Sequence, residues 1–365
     1  MKCSLLFLCI CLSTLCQADN SRLEKKINRE FTISTDGRVE LNNRYGNIDV
    51  AIGAANAVKI DVVIAVTSAS DKKAQETMDR ITVGFEEGNN RISAKTDIDN
   101  ITGWTSWFNM GKTTIEVNYH VQVPLDVYLD LTNRYGNIYL ETTNRDLKVD
   151  LGYGDLRLGD VNGRLKLDMI YSDGSISQIL DGDLQLSYSD LEMEDGENVA
   201  MDMKYTDIKS GTFKKLKLES SYSDWHGIAV NDLDYTGKYD DIVLDRVNQV
   251  TAGTAYSGIN IAELTDSGTF DMRYGDLKLN RIRRSFTDIN INTSYTGCVL
   301  QFESETNYSI DAEVNYGEIY HTDIKISENI HKDTGSILRG AHGTGGGRIN
   351  ARMNYGELKL LNVRA

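Results

Sequence analysis

Seven aspartates of this chain, Asp155, Asp173, Asp190, Asp207, Asp224, Asp241 and Asp276, share one feature: each stands two residues after a tyrosine. If equivalent positions stack, their carboxylates form one line. Unit charges ~5 Å apart repel by roughly 0.8 kcal/mol per pair even at water's dielectric. Oxygen donors at that density would suit Ca²⁺ better than a transition metal. The competing reading is a backbone one. Asn47, Asn137, Gly258 and Gly297 fill the same slot, and Asp, Asn and Gly all tolerate a left-handed corner. Glu318 and Glu357 fit that account less well. Corner geometry is the preferred reading, and a Ca²⁺ column is the alternative.

A second candidate is the aromatic loop GWTSWFNMG at 103–111, with Trp104, Trp107, Phe108 and Met110 in a turn-rich stretch. Exposed, such a patch would mark a partner, glycan or membrane contact; folded back, it plugs the first coil, which is the preferred reading. The five histidines (His120, His226, His321, His331, His342) show no metal-ligand or triad spacing. The run GAHGTGGGR at 340–348 lacks the lysine and hydroxyl of a phosphate loop and reads as a mobile excursion. No catalytic residue is assigned.

What positions these residues is a repeat. Tyrosine, then a small or turn residue, then Asp, Asn, Gly or Glu, recurs at Tyr45, Tyr135, Tyr153, Tyr171, Tyr188, Tyr205, Tyr222, Tyr239, Tyr256, Tyr274, Tyr295, Tyr316 and Tyr355. From Tyr135 to Tyr274 the interval is 17 or 18 residues. Within a copy the apolar residues alternate with period two, as in Leu165, Leu167 and Met169, which is a strand pattern. After the corner the residues three and five past the tyrosine are apolar, as in Leu156/Leu158 and Ile259/Ile261. A unit this short cannot bury its own face, so the copies must stack.

The expected fold is therefore all-β: a single-stranded parallel β-solenoid of ~17–18 residues per coil. Right-handed coiling follows the rule for parallel crossovers. Tyr135, Tyr153, Tyr171, Tyr188, Tyr205, Tyr222, Tyr239, Tyr256 and Tyr274 share the parity of the apolar residues before them, which predicts an internal tyrosine ladder. Each stacked pair would add roughly 0.5–1.5 kcal/mol.

The repeat is interrupted once. NRYGNI at 43–48 is identical to NRYGNI at 133–138, yet the two lie 90 residues apart. Residues 19–51 read as the first coil, 52–124 as an inserted α+β cap, and 125–365 as solenoid. Within the insert, strands are expected at 58–66, 81–85, 91–96 and 113–123. A short helix capped by Ser70 should bury Ala74, Met78 and Ile81. Such a cap would close an edge otherwise open to aggregation.

Residues 1–18 have the lysine, apolar core and small Ala18 of a secretory signal, with lipidation at Cys16 as the alternative. Cys3, Cys9, Cys11 and Cys16 fall inside it, leaving Cys298 and no disulfide framework. The net charge of −15 argues against nucleic acid and against an anionic membrane. No further apolar run is long enough to span a bilayer.

With the repeat laid out, the chain resembles the adhesin-like β-solenoid domains of unknown function in exported proteins of Gram-negative bacteria, especially Bacteroidota. The resemblance rests on the signal, on VNYHVQVP (117–124) leading into LDLTNRYGNI (129–138), on the YGD-type corners, and on GGGRINARMNYGELKL (345–360). It implies surface adhesion and carries over no binding residue; with the signal, the chain reads as an exported, monomeric, adhesin-like binding or scaffold module of the periplasm, outer-membrane surface or extracellular space. The ligand class it leaves open is a protein or glycan at the cell envelope. The alternative function is a polysaccharide-active lyase or hydrolase, since parallel β-helices commonly host such enzymes. An enzyme should interrupt its repeat with long loops, and 153–274 contains none.

Overall fold

The computed structural model describes residues 21–99, 113–332 and 334–362. Its first strands are β1 (Ser21–Thr32), β2 (Arg38–Arg44), β3 (Ile48–Ile52) and β4 (Ala57–Ser68), followed by helix α1 (Asp71–Met78). Then come β5 (Ile81–Gly88), β6 (Arg91–Ile98), β7 (Thr114–Val123), β8 (Tyr128–Arg134), β9 (Ile138–Thr143) and β10 (Leu147–Gly152). The regular coils are β11 (Asp155–Ile170), β12 (Asp173–Ser187), β13 (Asp190–Lys204), β14 (Asp207–Ser221), β15 (Asp224–Lys238) and β16 (Asp241–Ala255). The chain closes with β17 (Gly258–Ile282), β18 (Asp288–Phe302), β19 (Tyr308–Asn315), β20 (Glu318–His321), β21 (Lys325–Lys332), β22 (Gly335–His342), β23 (Gly347–Asn354) and β24 (Glu357–Asn362).

This is a parallel β-solenoid. Successive coils pair in register one repeat apart, as in Leu167↔Leu184↔Met201↔Leu218. The alternation read from the sequence sets which side chains meet in the core. In one coil Leu156, Leu158, Val161, Leu165, Leu167 and Met169 are each 2% exposed or less. Burial of such side chains contributes about 1.5–3 kcal/mol apiece.

The tyrosine ladder exists, but it is not internal. Ring centroids stand 4.6–5.3 Å apart in one unbroken stack from Tyr45 through Tyr274 and Tyr295 to Tyr316. The rings from Tyr135 onward are nevertheless 40–55% exposed. The reason lies in the backbone. Each ladder tyrosine has φ between +51° and +62°, the left-handed region, which turns its side chain outward. The inward position passes to the next residue: Ser172, Ser189, Thr206, Ser223 and Ser257 are all buried. The aspartates two residues on are not left-handed, so the corner account of the acidic column assigned the unusual φ to the wrong residue.

The buried hydroxyls form their own column. The Ser172 N–H donates to Ser189 Oγ at 3.2 Å, and Ser189 Oγ donates to the Ser187 carbonyl at 2.9 Å. The same pattern links Thr206 to Ser223. A small polar residue there satisfies a corner N–H that no ladder carbonyl reaches.

The inserted segment continues the stack before ending it. Strands β6 and β7 lie parallel on β2 and β3. Antiparallel β5 then covers β6, and antiparallel β4 and β1 cover β7. Residues 21–32, read above as part of the first coil, thus join the cap. Helix α1 is capped by Ser70, whose Oγ accepts the Lys73 N–H at 3.4 Å, and it buries Ala74 and Met78. Ile81 opens β5 instead of extending the helix. The outermost strand β1 exposes Lys25, Lys26 and Arg29, charges that oppose edge-to-edge pairing.

At the other end the coils do not stack in chain order. Strands β23 and β24, the last in the chain, lie between β18 and the pair β19/β20. Tyr355 accordingly stacks on Tyr295 at 4.6 Å on one side and on Tyr316 at 4.7 Å on the other. The hairpin β21–β22 covers β19 antiparallel and terminates the solenoid. The glycine-rich run is therefore a built turn rather than an excursion. Residues 340–342 finish β22, and Gly343, Gly345 and Gly346 take φ of +72°, +74° and +88° to redirect the chain into β23. A Cβ on Gly346 would stand 1.9 Å from the Asn307 carbonyl oxygen, so glycine is required there.

Candidate functional site

The acidic column lies where the repeat placed it, on the solvent side of the corner. Asp155, Asp173, Asp190, Asp207, Asp224, Asp241 and Asp276 are all exposed, and register aligns Asp155↔Asp173↔Asp190 and Asp207↔Asp224↔Asp241. Two of the carboxylates turn back to the backbone. Asp224 Oδ1 accepts the Asp241 N–H at 3.2 Å, and Asp190 Oδ1 accepts the Asp207 N–H at 3.4 Å. Asn137 does the same for Asp155 at 2.8 Å. Among the described residues no three His, Cys, Asp or Glu side chains converge as a metal cage. At Asn137, Asp190 and Asp224 the column bridges neighbouring coils through a side-chain acceptor that Asp and Asn supply equally.

The ladder tyrosines are part-exposed at the surface, while the rings between the two ends of the stack are covered on both faces by their neighbours. A planar ligand cannot stack between them. Trp104, Trp107, Phe108 and Met110 lie outside the described residues. The histidines remain scattered, apart from His120 and His226, which line one surface. His120 Nδ1 pairs with Asp49 Oδ2 at 3.0 Å. His331 Nδ1 meets Ser336 Oγ at 3.2 Å, and His342 Nδ1 meets the Thr306 carbonyl at 2.7 Å.

That shared surface is an open groove of about 1340 Å³, and sequence reasoning did not anticipate it. It crosses ten neighbouring strands, β4, β7, β3, β9 and β11 through β16. At ~4.8 Å per strand this is a trough about 43 Å long. Regular strands build it, with no long loops. Its two inner columns are the outward residues four and six positions after each ladder tyrosine. The first runs Tyr139, Arg157, Ser175, Glu192, Lys209, His226, Val243. Its charges are largely internal: Arg157 lies over the Tyr139 ring at 5.7 Å, and Lys209 pairs with Glu192 at 3.7 Å.

The second column runs Glu141, Gly159, Ser177, Glu194, Gly211, Ile228, Asp245. It follows a kink where strand pairing skips one residue per coil, so that Leu158↔Ile176 is followed by Asp160↔Gln178. A Cβ on Gly159 would stand 1.9 Å from the Glu141 carbonyl oxygen, and one on Gly211 2.1 Å from that of Glu194. Position 159 thus admits no side chain beside Glu141, and position 211 none beside Glu194. The signal was present in the sequence as a column of fixed offset from the tyrosines. It became meaningful only once the kink made that column the floor of a trough.

The strongly displaced ionisations lie elsewhere, in the solenoid interior. Burial pushes the Cys298 thiol up to about 12. Asp240 takes the corner slot that its neighbours fill with Ser or Thr, and burial raises its carboxyl above the usual range. It accepts hydrogen bonds from Tyr235 Oη at 2.9 Å, Ser220 Oγ at 2.8 Å and the Ser223 N–H at 3.0 Å. Burial and the adjacent Asp240 in turn raise the Tyr235 hydroxyl.

No family model and no curated protein sequence matches the chain. Solved structures similar to it include a candidate cell adhesion protein from Clostridium sporogenes, at 9% identity and a TM-score of 0.19, covering 93% of this chain and 100% of that one. A candidate adhesin from Bacteroides fragilis shares 10% identity at a TM-score of 0.21, covering 92% and 97%. A candidate lipid-binding protein from Parabacteroides distasonis shares 6% identity at a TM-score of 0.22, covering 93% and 97%. Among the described residues no helix is long and apolar enough to cross a membrane.

Proposed function

We propose that this chain is a non-catalytic, adhesin-like binding module, exported to the cell envelope or surface, whose rigid solenoid holds an elongated ligand along one face. The observation that carries the reading is the groove: about 1340 Å³, spread across ten regular strands and open along its length. Sites for small ligands are compact and converge on a few polar groups. A shallow trough of repeated strand positions instead offers many equivalent contacts to a polymer. The groups whose ionisation burial raises furthest, Tyr119, Tyr235, Cys298 and Tyr308, face the core, as does the raised carboxyl of Asp240, so they support interior packing and not acid–base work in the groove.

The test is a blocked groove. Ser177 lies midway along the trough, and Ser177→Trp would fill it without touching the core. On peptide and glycan arrays the mature protein should retain a ligand that Ser177→Trp, melting at the same temperature, does not. New reducing ends or unsaturated sugars after incubation with polysaccharides would overturn the non-catalytic reading in favour of a lyase or hydrolase.

A further inference from the structure

The groove carries a charge pattern with a definite period. In the column six residues after the ladder tyrosines, the carboxylates Glu141, Glu194 and Asp245 occur on every third coil. The two positions between each pair are uncharged: Gly159 and Ser177, then Gly211 and Ile228. All three carboxylates are exposed, and none has a hydrogen-bond or ion-pair partner among the described residues. This separates them from Asp190 and Asp224 of the corner column, which accept backbone N–H groups of the next coil, and from Glu192, which is paired with Lys209. Three coil steps at ~4.8 Å place successive carboxylates about 14 Å apart.

An extended peptide rises ~3.3–3.4 Å per residue and repeats its facing direction every second residue. Residues i, i+4 and i+8 therefore share one face and lie about 13–14 Å apart. That matches the spacing of Glu141, Glu194 and Asp245. We infer that the groove recognises an extended cationic peptide segment carrying Lys or Arg at i, i+4 and i+8, one side chain per carboxylate. The inference rests on the groove being the binding surface. Three further observations support it. The glycines beside Glu141 and Glu194 leave both acids open to an approaching cation. The small residues Ser175 and Ser177 in the middle of the trough leave room for a backbone. Seven carboxylates line the groove against the fixed cations Arg157 and Lys209, so the field across it favours positive charge.

The experiment uses the full mature chain and a fluorescent 13-residue peptide of Ser, Thr and Gly with Lys at positions 3, 7 and 11. Comparison peptides carry the lysines at 3, 6 and 9, or glutamates at 3, 7 and 11; a chitosan oligosaccharide supplies the amino-sugar alternative. Binding by anisotropy should be tightest for the 3/7/11 lysine peptide and should weaken with added NaCl. Glu141→Gln, Glu194→Gln and Asp245→Asn should each weaken it roughly two- to fivefold, the range of exposed ion pairs. The triple variant, with an unchanged melting curve, should lose roughly tenfold or more. Equal affinity for the 3/6/9 peptide, or for the triple variant, would overturn the inference. If chitosan or a neutral glycan binds, is blocked by Ser177→Trp and ignores the triple variant, the groove function stands and the cationic-peptide inference falls. If no probe responds to Ser177→Trp, both fall.

Discussion

Each of the thirteen ladder tyrosines takes a left-handed conformation that costs an L-residue roughly 1–2 kcal/mol. Stacking on two neighbours returns roughly 0.5–1.5 kcal/mol per pair, so the ladder offsets the strain of its own corners. Glycine and alanine should then rank in an unusual order. Tyr205→Ala keeps the strain and loses two stacks, and is expected to cost about 1–3 kcal/mol in urea unfolding. Tyr205→Gly removes the strain as well and should cost measurably less, although glycine is normally the poorer residue in a β framework. In the aspartate column, Asn keeps the acceptor for the next coil's N–H and removes like-charge repulsion. The triple variant Asp190→Asn, Asp207→Asn and Asp224→Asn should fold and melt at or slightly above the wild-type temperature; a large drop would show that the charge itself is needed. Asp240 gives a pH-dependent case. Its carboxyl is raised in the folded state from 3.8 by burial, with Tyr235, Ser220 and the Ser223 N–H pulling the other way. The native state therefore holds its proton more tightly than the unfolded chain, and this group's contribution to stability falls as pH rises from about 4 through the raised value. Asp240→Asn should thus exceed wild type in stability at pH 7, with the gap closing toward pH 4. A gap that stays constant over that range would contradict the linkage.

At the scale of the element, the unit is the coil. Strands β12 to β16 repeat the same inward positions at a constant interval of 17 residues. Deleting Tyr188 to Lys204 brings Tyr205 to follow Ser187 in phase and should yield a folded, shortened solenoid. Deleting eight residues from the same stretch shifts the register and exposes the apolar side chains, so it should misfold. Circular dichroism and a cooperative melt distinguish the two products. Equal behaviour would mean that the coils are not interchangeable. The antiparallel strands at both ends, β1 and β5 on one side and β21 on the other, are elements of a different kind. They stop a parallel stack whose edge would otherwise template further strands.

For the whole molecule, the insertion of β23 and β24 between β18 and β19/β20 makes completion of the fold depend on its last segment. Without it, the hairpin and β19 have no parallel partner connecting them to the solenoid. A chain ending at residue 345 should keep the coils from Tyr135 to Tyr295 protected from protease while β19 to β22 become cleavable. Protection of β19 to β22 in that truncated chain would show that they pack on β18 directly. A repeat protein normally frays from its ends by nearest-neighbour steps; here the terminal coil is pinned by one that arrives after it.

The sequence alone determined the repeat, the parallel stacking, the inward apolar columns and a small α+β cap, because these follow from period-two alternation, fixed spacing and its one interruption. It also placed the Ser70-capped helix, since a capping hydroxyl is a local signal. Tertiary structure decided which way the tyrosines point, because a single left-handed φ reverses the parity on which that expectation rested, and no residue type announced it. It likewise decided the order of the last coils, which depends on which strand edge is open when the chain returns, not on spacing. The groove belongs to the same class. Glu141, Glu194 and Asp245 are about 50 residues apart along the chain, and only stacking at ~4.8 Å per coil turns that distance into a ligand-sized interval.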